Sequence, residues 1–169
     1  MLVLSRRVLR GLLVLNWVFV AFFALVAALL LSPIGGNEAL AALSRTLPAD
    51  QAALLVRAAI WLMALGIAAG VAAHLIFARM LGIVAAAIAG DPFTLANARR
   101  LRTIGWALLA IQILDLGFGY ISFMVESGTV ETFGWSPTVG GWIAVLMVFV
   151  LARVFEQGSR MRDELAMTV

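Results

Sequence analysis

Four long runs of apolar residues are separated along the chain by shorter polar stretches. They cover about residues 8–31, 54–77, 104–125 and 138–155. Each approaches the roughly 20 residues that cross a bilayer core as a helix. Lipid offers no partner to an open amide or carbonyl, so each run is predicted to satisfy its backbone internally, as an α-helix. The expected fold is an all-α membrane protein, a four-transmembrane-helix bundle forming one domain over residues 1–169. The first run has a basic start, and Ala39-Leu40-Ala41 resembles a signal cleavage site. Its length far exceeds the ~7–15-residue core of a secretory signal, so a retained helix is expected.

Polar residues inside the runs are few and regularly placed. Gly105, Leu108, Gln112, Asp115, Gly119 and Ser122 recur at helical spacing on the third run. Such a small, polar stripe cannot be satisfied by lipid and should face the bundle interior. Asp115 is its sharpest member. A carboxylate at mid-bilayer costs about 2.5–3.5 kcal/mol, and about ten strongly apolar neighbours return a similar sum. The third helix should therefore insert beside partners. Gly66, Gly70 and His74 form a matching stripe on the second run, and Asn16 with Ala24 and Ala27 another on the first. Gly66–Gly70 is a GxxxG motif, which lets backbones approach closely. Packing within the chain is its expected use, and a homodimer is the alternative.

Two readings of the polar set follow. In one, Asp115, Gln112, His74 and Asn16 hydrogen-bond one another and hold the bundle together. In the other they form an interior proton or ligand site, with Arg153 as a helper. Arg57 is expected to reach the headgroups, with a lean toward Asp115 as the alternative.

Charge sets the orientation. Arg6, Arg7 and Arg10 precede the first run; Arg79, Arg99, Arg100 and Arg102 lie between the second and third; Arg153, Arg160 and Arg162 end the fourth. The two other loops carry Arg45 and Arg57 with Glu38, Asp50, Glu126 and Glu131. The positive-inside rule predicts both termini and the middle loop in the cytoplasm (N-in/C-in) of a bacterial inner membrane. Trp106 at the inner end of its run, and Tyr120, Trp135 and Trp142 toward the outer ends, suit the headgroup layers. Trp17 lies deeper, and that belt does not explain it.

The segment between the second and third runs stays apolar through residues 80–89, so helix 2 is expected to extend into the cytoplasm until Gly90-Asp91-Pro92 stops it. Thr94 or Asp91 would cap the next helix, putting Arg99, Arg100 and Arg102 on its first turns beside anionic headgroups. Helix 4 is likewise expected to extend into the cytoplasm, to about residue 165, with pairs Arg153–Glu156 and Arg160–Asp163. In the first outer loop, Asn37 would cap a short helix running to about Leu47 and lying on the membrane surface or on the other helices. The second outer loop, about 126–137, is rich in Gly, Ser and Thr.

Composition closes off several classes. Hydrophobic residues make up 64% of 169 residues, and mean hydropathy is +1.08. A fold this small has too little interior to hide that much hydrocarbon. There is no cysteine, which excludes disulfides and thiolate chemistry, and His74 is the one histidine, which excludes paired-histidine haem ligation. All 12 basic residues are arginine. There is no HExxH, GxSxG or Walker-type motif, and no mid-membrane acid in the first run as in small proton-coupled exporters. No enzyme, metal, cofactor or direct nucleic-acid binding is expected.

Residues 90–105, Gly-Asp-Pro-Phe-Thr-Leu-Ala-Asn-Ala-Arg-Arg-Leu-Arg-Thr-Ile-Gly, resemble a bacterial membrane family, DUF2975, whose members carry a similar PFT–x–x–N–x–x–R–L–R–x–I stretch between helices two and three of four. Phe155-Glu156-Gln157-Gly158, Arg162-Asp163-Glu164-Leu165 and Thr168-Val169 are similar to its exit from the last helix. The resemblance implies four helices and no established activity, and a pairing of many members with a small helix-turn-helix regulator. The expectation is a membrane-bound docking or regulatory protein. Its partner- or lipid-facing residues would be Phe93, Asn97, Arg99, Arg100, Arg102, Arg160 and Arg162. The alternative is a small transporter or sensor built on Asp115.

Overall fold

A computed structural model describes residues 2–128 and 134–166. Among these residues there are five helices: α1 Leu2–Leu31, α2 Pro33–Leu43, α3 Ala49–Ile88, α4 Leu95–Gly128 and α5 Val139–Ala166. All but α2 are long and apolar enough to cross a membrane. Their best 18-residue windows have mean hydropathies of 1.8–2.6, yet only 6–17% of each window is buried in the protein. Hydrocarbon is thus turned outward, as lipid-facing helices require. The chain is a multi-pass membrane protein by the length and apolarity of these helices.

Helix α3 has 40 residues. At 1.5 Å per residue it spans about 60 Å, twice the ~30 Å hydrocarbon core. The apolar residues 80–88 therefore do continue the second helix. Its end is a glycine stop. Gly90 has φ of 81°, a left-handed conformation that costs other residues about 1–2 kcal/mol. Asp91 N donates to Ala86 O at 3.1 Å and Gly90 N to Ala87 O at 3.2 Å, the paired bonds of a Schellman cap.

The first connection differs from expectation. Helix α2 begins at Pro33, not after Asn37, and ends at Leu43, short of Leu47. Ser32 is the cap: its Oγ accepts from Gly35 N at 3.0 Å and donates to Leu29 O at 2.7 Å. Proline at the first helical position needs no amide partner, so Ser32-Pro33 outcompetes the later asparagine. Gly35 and Gly36 are not loop residues. A Cβ at Gly36 would lie 2.6 Å from Leu30 O, and one at Gly35 would run into the backbone of Leu29. Only glycine permits so tight a reversal.

The helix residues divide into two compact units. The first takes its described residues from 1–17, 72–112 and 138–169. Its core is Leu101, Ile104 and Ala152, enclosed by Ile76, Ile83, Leu108, Val148 and Phe155. The second takes its described residues from 18–71 and 113–137 and packs through small residues. A Cβ on Gly66 would lie 2.9 Å from Phe23 Cδ2, so the first glycine of the GxxxG motif receives an aromatic ring from the same chain. Leu65 lies 3.5 Å from the corresponding point on Gly117.

Candidate functional site

Two polar constellations stand out, one in each unit. The first is built on the turn from α3 into α4. Thr94 caps α4, its Oγ1 accepting from Asn97 N at 3.2 Å. Asn97, at the third helical position, has no exposed surface. Its Nδ2 donates to Pro92 O at 2.8 Å, and its Oδ1 accepts from Arg100 Nη1 at 2.7 Å. The same arginine nitrogen donates to Gly82 O at 2.9 Å. A Cβ at Gly82 would sit 2.7 Å from Arg100 Nε, so the glycine in α3 makes room for the guanidinium. Asn97 and Arg100 thus join three consecutive segments: α3, the turn and α4. Asn97, expected on a lipid or partner surface, is instead fully buried, with its amide nitrogen bonded to Pro92 and its oxygen to Arg100. Arg100 is half-buried.

Around this latch, α5 closes on the turn. Phe93 stacks on Phe155 with centroids 4.9 Å apart, and its ring lies 3.5 Å from the Cβ position of Gly158. Arg162 pairs with Asp91 across the turn. Glu156, whose side chain is 14% exposed, receives three guanidiniums: Arg102 at 3.4 Å, Arg153 at 3.4 Å and Arg160 at 2.9 Å. The expected pair Arg153–Glu156 is present. Arg160 reaches Glu156 one turn back; the side chain of Asp163 lies outside the described residues, as do Thr168-Val169 and Glu131. Arg99, Arg102, Arg160 and Arg162 are exposed, as is Phe93.

The second constellation is at Asp115. Trp135 Nε1 donates to Asp115 Oδ1 at 3.3 Å. The indole lies flat against α4, where a Cβ at Gly119 would come within 2.6 Å of its ring. Trp135 is therefore a lid on the α4 stripe. Beside it opens a cavity of about 320 Å³ lined by Gly119, Tyr120, Ser122, Phe123, Glu126 and Trp135. No ion pair joins Arg57 to Asp115 among the described residues; Arg57 is exposed.

The α4 stripe is the packed face of its helix: Gly105 and Gly119 are buried, and Gln112 and Asp115 half-buried. Gly105 lies against Phe149, 3.0 Å from its Cβ position, and Gln112 Cδ lies 2.5 Å from that of Gly141. His74 packs on Trp17 with centroids 5.3 Å apart, which accounts for the deep tryptophan. His74 Nδ1 and Gln112 Nε2 are buried without a hydrogen-bond partner. Among the described residues no group of three His, Asp or Glu could hold a metal ion.

Sequence reasoning missed the Arg102–Glu156 bridge between α4 and α5, the Arg100–Gly82 bond and the role of Trp135. Only Trp135 carried a signal, a large indole beside a glycine-rich loop within reach of the lone central carboxylate.

The latch coincides with the most distinctive stretch of the sequence. A family model described as "Protein of unknown function (DUF2975)" matches residues 13–169. The chain belongs to the DUF2975 family. No curated protein and no solved structure matches it. In this DUF2975 protein the motif residues Pro92, Thr94, Asn97 and Arg100 are the ones that shape the α3–α4 turn.

Proposed function

We propose that this protein is a docking protein of the bacterial inner membrane, with both termini and the α3–α4 turn in the cytosol. The orientation rests on the arginines, which flank the spans at those ends and are sparse in the other loops. The observation that carries the docking role is the apolar rim of this end. Ile88, Phe93, Leu95 and Met161 are 45%, 47%, 43% and 60% exposed, beside exposed Arg99 and Arg162. Apolar side chains past the arginine layer stand in water, where such patches mark interaction sites. Aromatic, Met and Arg residues are the types enriched in protein interfaces. The latch keeps the patch rigid, which lowers the entropic cost of binding. The partner is a small soluble protein; a helix-turn-helix regulator is the first to try, on family resemblance alone.

Mild detergent extraction of tagged protein from its native host should bring down a cytosolic partner. Phe93→Glu with Met161→Glu should lose it without changing membrane yield. A partner retained by the double variant, or none captured by the wild type after cross-linking, overturns the reading. Reporter fusions at residues 91 and 166 should both report the cytosol.

A second reading is supported by the cavity beside Asp115 and Trp135: a small transporter or sensor. Asp115→Asn would then abolish the response at unchanged expression, and a fully functional Asp115→Leu variant would rule it out.

A further inference from the structure

The arginine cluster on Glu156 is unbalanced. Three guanidiniums share one carboxylate, and their side chains remain 60%, 64% and 69% exposed for Arg102, Arg153 and Arg160. Glu156 itself is largely covered, so the excess positive charge faces outward. Guanidiniums in a fork of this kind match phosphate oxygens in geometry and charge.

The level of the cluster relative to the bilayer is marked by aromatic residues. Trp106, 61% exposed, is one helical turn from Arg102 on α4. It meets Phe149 of α5 edge-on at 5.5 Å, and Phe149 is one turn from Arg153. An exposed tryptophan at a span's end sits among headgroups, so Arg102 and Arg153 stand at that layer. Arg160 is about 10 Å further along α5, still within reach of it for a flexible side chain.

Next to Arg153 along α5 lies a shallow apolar groove on that one helix. It has a volume of about 540 Å³ and is lined by Ile143, Leu146, Met147, Val150, Leu151 and Val154, with Val148 at its side. Leu146, Val150 and Arg153 follow one another at four- and three-residue steps, hence on one face of α5. An apolar helix face that ends at a cluster of exposed guanidiniums has the polarity of one amphiphile.

We propose that the α5 groove and the Arg102–Arg153–Arg160 cluster form a specific site for an anionic phospholipid. The acyl chains lie along Ile143–Val154 and the phosphodiester is held by the three arginines. Glu156 orients the guanidiniums and limits their net pull on the headgroup. The site is on the side of α5 at the membrane level, separate from the apolar rim proposed to dock a protein, and it does not depend on that reading.

The experiment is native mass spectrometry of the full-length protein released from nanodiscs of phosphatidylcholine doped with phosphatidylglycerol. One phosphatidylglycerol should be retained in preference to phosphatidylcholine. Arg153→Gln with Arg160→Gln should weaken retention roughly 30-fold, about five-fold for each interfacial arginine. Arg45→Gln, in the other set of loops, should leave it unchanged. Glu156→Gln should move retention the opposite way, a gain of several-fold, which a misfolded variant would not show. Glycerol phosphate, the soluble headgroup, should fail to compete at equal concentration. Equal retention of the two lipids, loss in Glu156→Gln, or full competition by glycerol phosphate would each overturn the assignment.

Discussion

Arg100 Nη1 is shared between the side-chain oxygen of Asn97, at 2.7 Å, and the carbonyl oxygen of Gly82, at 2.9 Å. That one nitrogen ties the first turn of α4 to the body of α3, although 18 residues separate Arg100 from Gly82. The bond explains why a polar asparagine is wholly buried beside a turn, and why a glycine interrupts α3 where alanine would make a better helix.

Asn97→Ala removes the acceptor for Arg100 and the donor to Pro92 O in one step. Hydrogen bonds to charged groups contribute about 1.5–3 kcal/mol and neutral ones about 0.5–1.5. The variant should lose roughly 2–4 kcal/mol against unfolding in mixed micelles. Asn97→Asp keeps the acceptor and should lose less. Equal losses would mean that Arg100 does not depend on Asn97.

Much of this was legible in the sequence, and the division has physical causes. Long apolar runs announce helices because lipid leaves the backbone no other solution. The Gly90-Asp91-Pro92 stop and the Thr94 cap are local chemistry, so they can be read residue by residue. What α4 does to α5 is not local. Arg102 and Glu156 are 54 positions apart, and no spacing rule connects them. Asn97 was misread because an asparagine next to arginines looks like surface; its burial follows from a turn geometry visible only in three dimensions. Asn37 was misread for the opposite reason: a valid cap signal lost to a better one, Ser32-Pro33, five residues earlier.

Gly90→Ala tests the stop of α3. Its φ of 81° is strained for any L side chain, and nothing crowds its Cβ position. The loss should therefore be backbone strain alone, about 1–2 kcal/mol. Gly90→Asn should lose less, because asparagine tolerates the left-handed region. Thermal unfolding of the three proteins in one detergent gives the order Gly, Asn, Ala. Any other order would show that the Schellman cap does not limit stability.

Two further glycines separate packing from helix propensity. Gly11 has open space around it, whereas Gly119 lies under Trp135. Gly11→Ala should be neutral or stabilising by up to about 1 kcal/mol, the ordinary difference between these residues in a helix. Gly119→Ala carries the same propensity gain but pushes the indole off α4. It should destabilise by about 1–3 kcal/mol, the scale of overpacking. Paired unfolding measurements decide it: if both variants gain stability, Trp135 is not seated on Gly119.

Trp135 and Asp115 can be separated by the charge and the shape of the acceptor. Asp115→Asn keeps an oxygen at the same place and removes a carboxylate charge that a membrane span disfavours. Its net effect on stability should be small or favourable. Asp115→Leu also removes the charge, but leaves the indole N–H without its partner, a loss of about 1–3 kcal/mol. Those changes oppose each other for leucine, so stability alone is a poor judge. The emission of Trp135 is better, read in a background where Trp17, Trp61, Trp106 and Trp142 are phenylalanine. Asn at 115 should leave its maximum in place, because the bond survives. Leu should shift it to the red and raise quenching by an aqueous quencher, because the ring is released toward water from its seat on α4. Identical spectra for the two variants would show that packing on Gly119, and not the bond to Asp115, holds the indole.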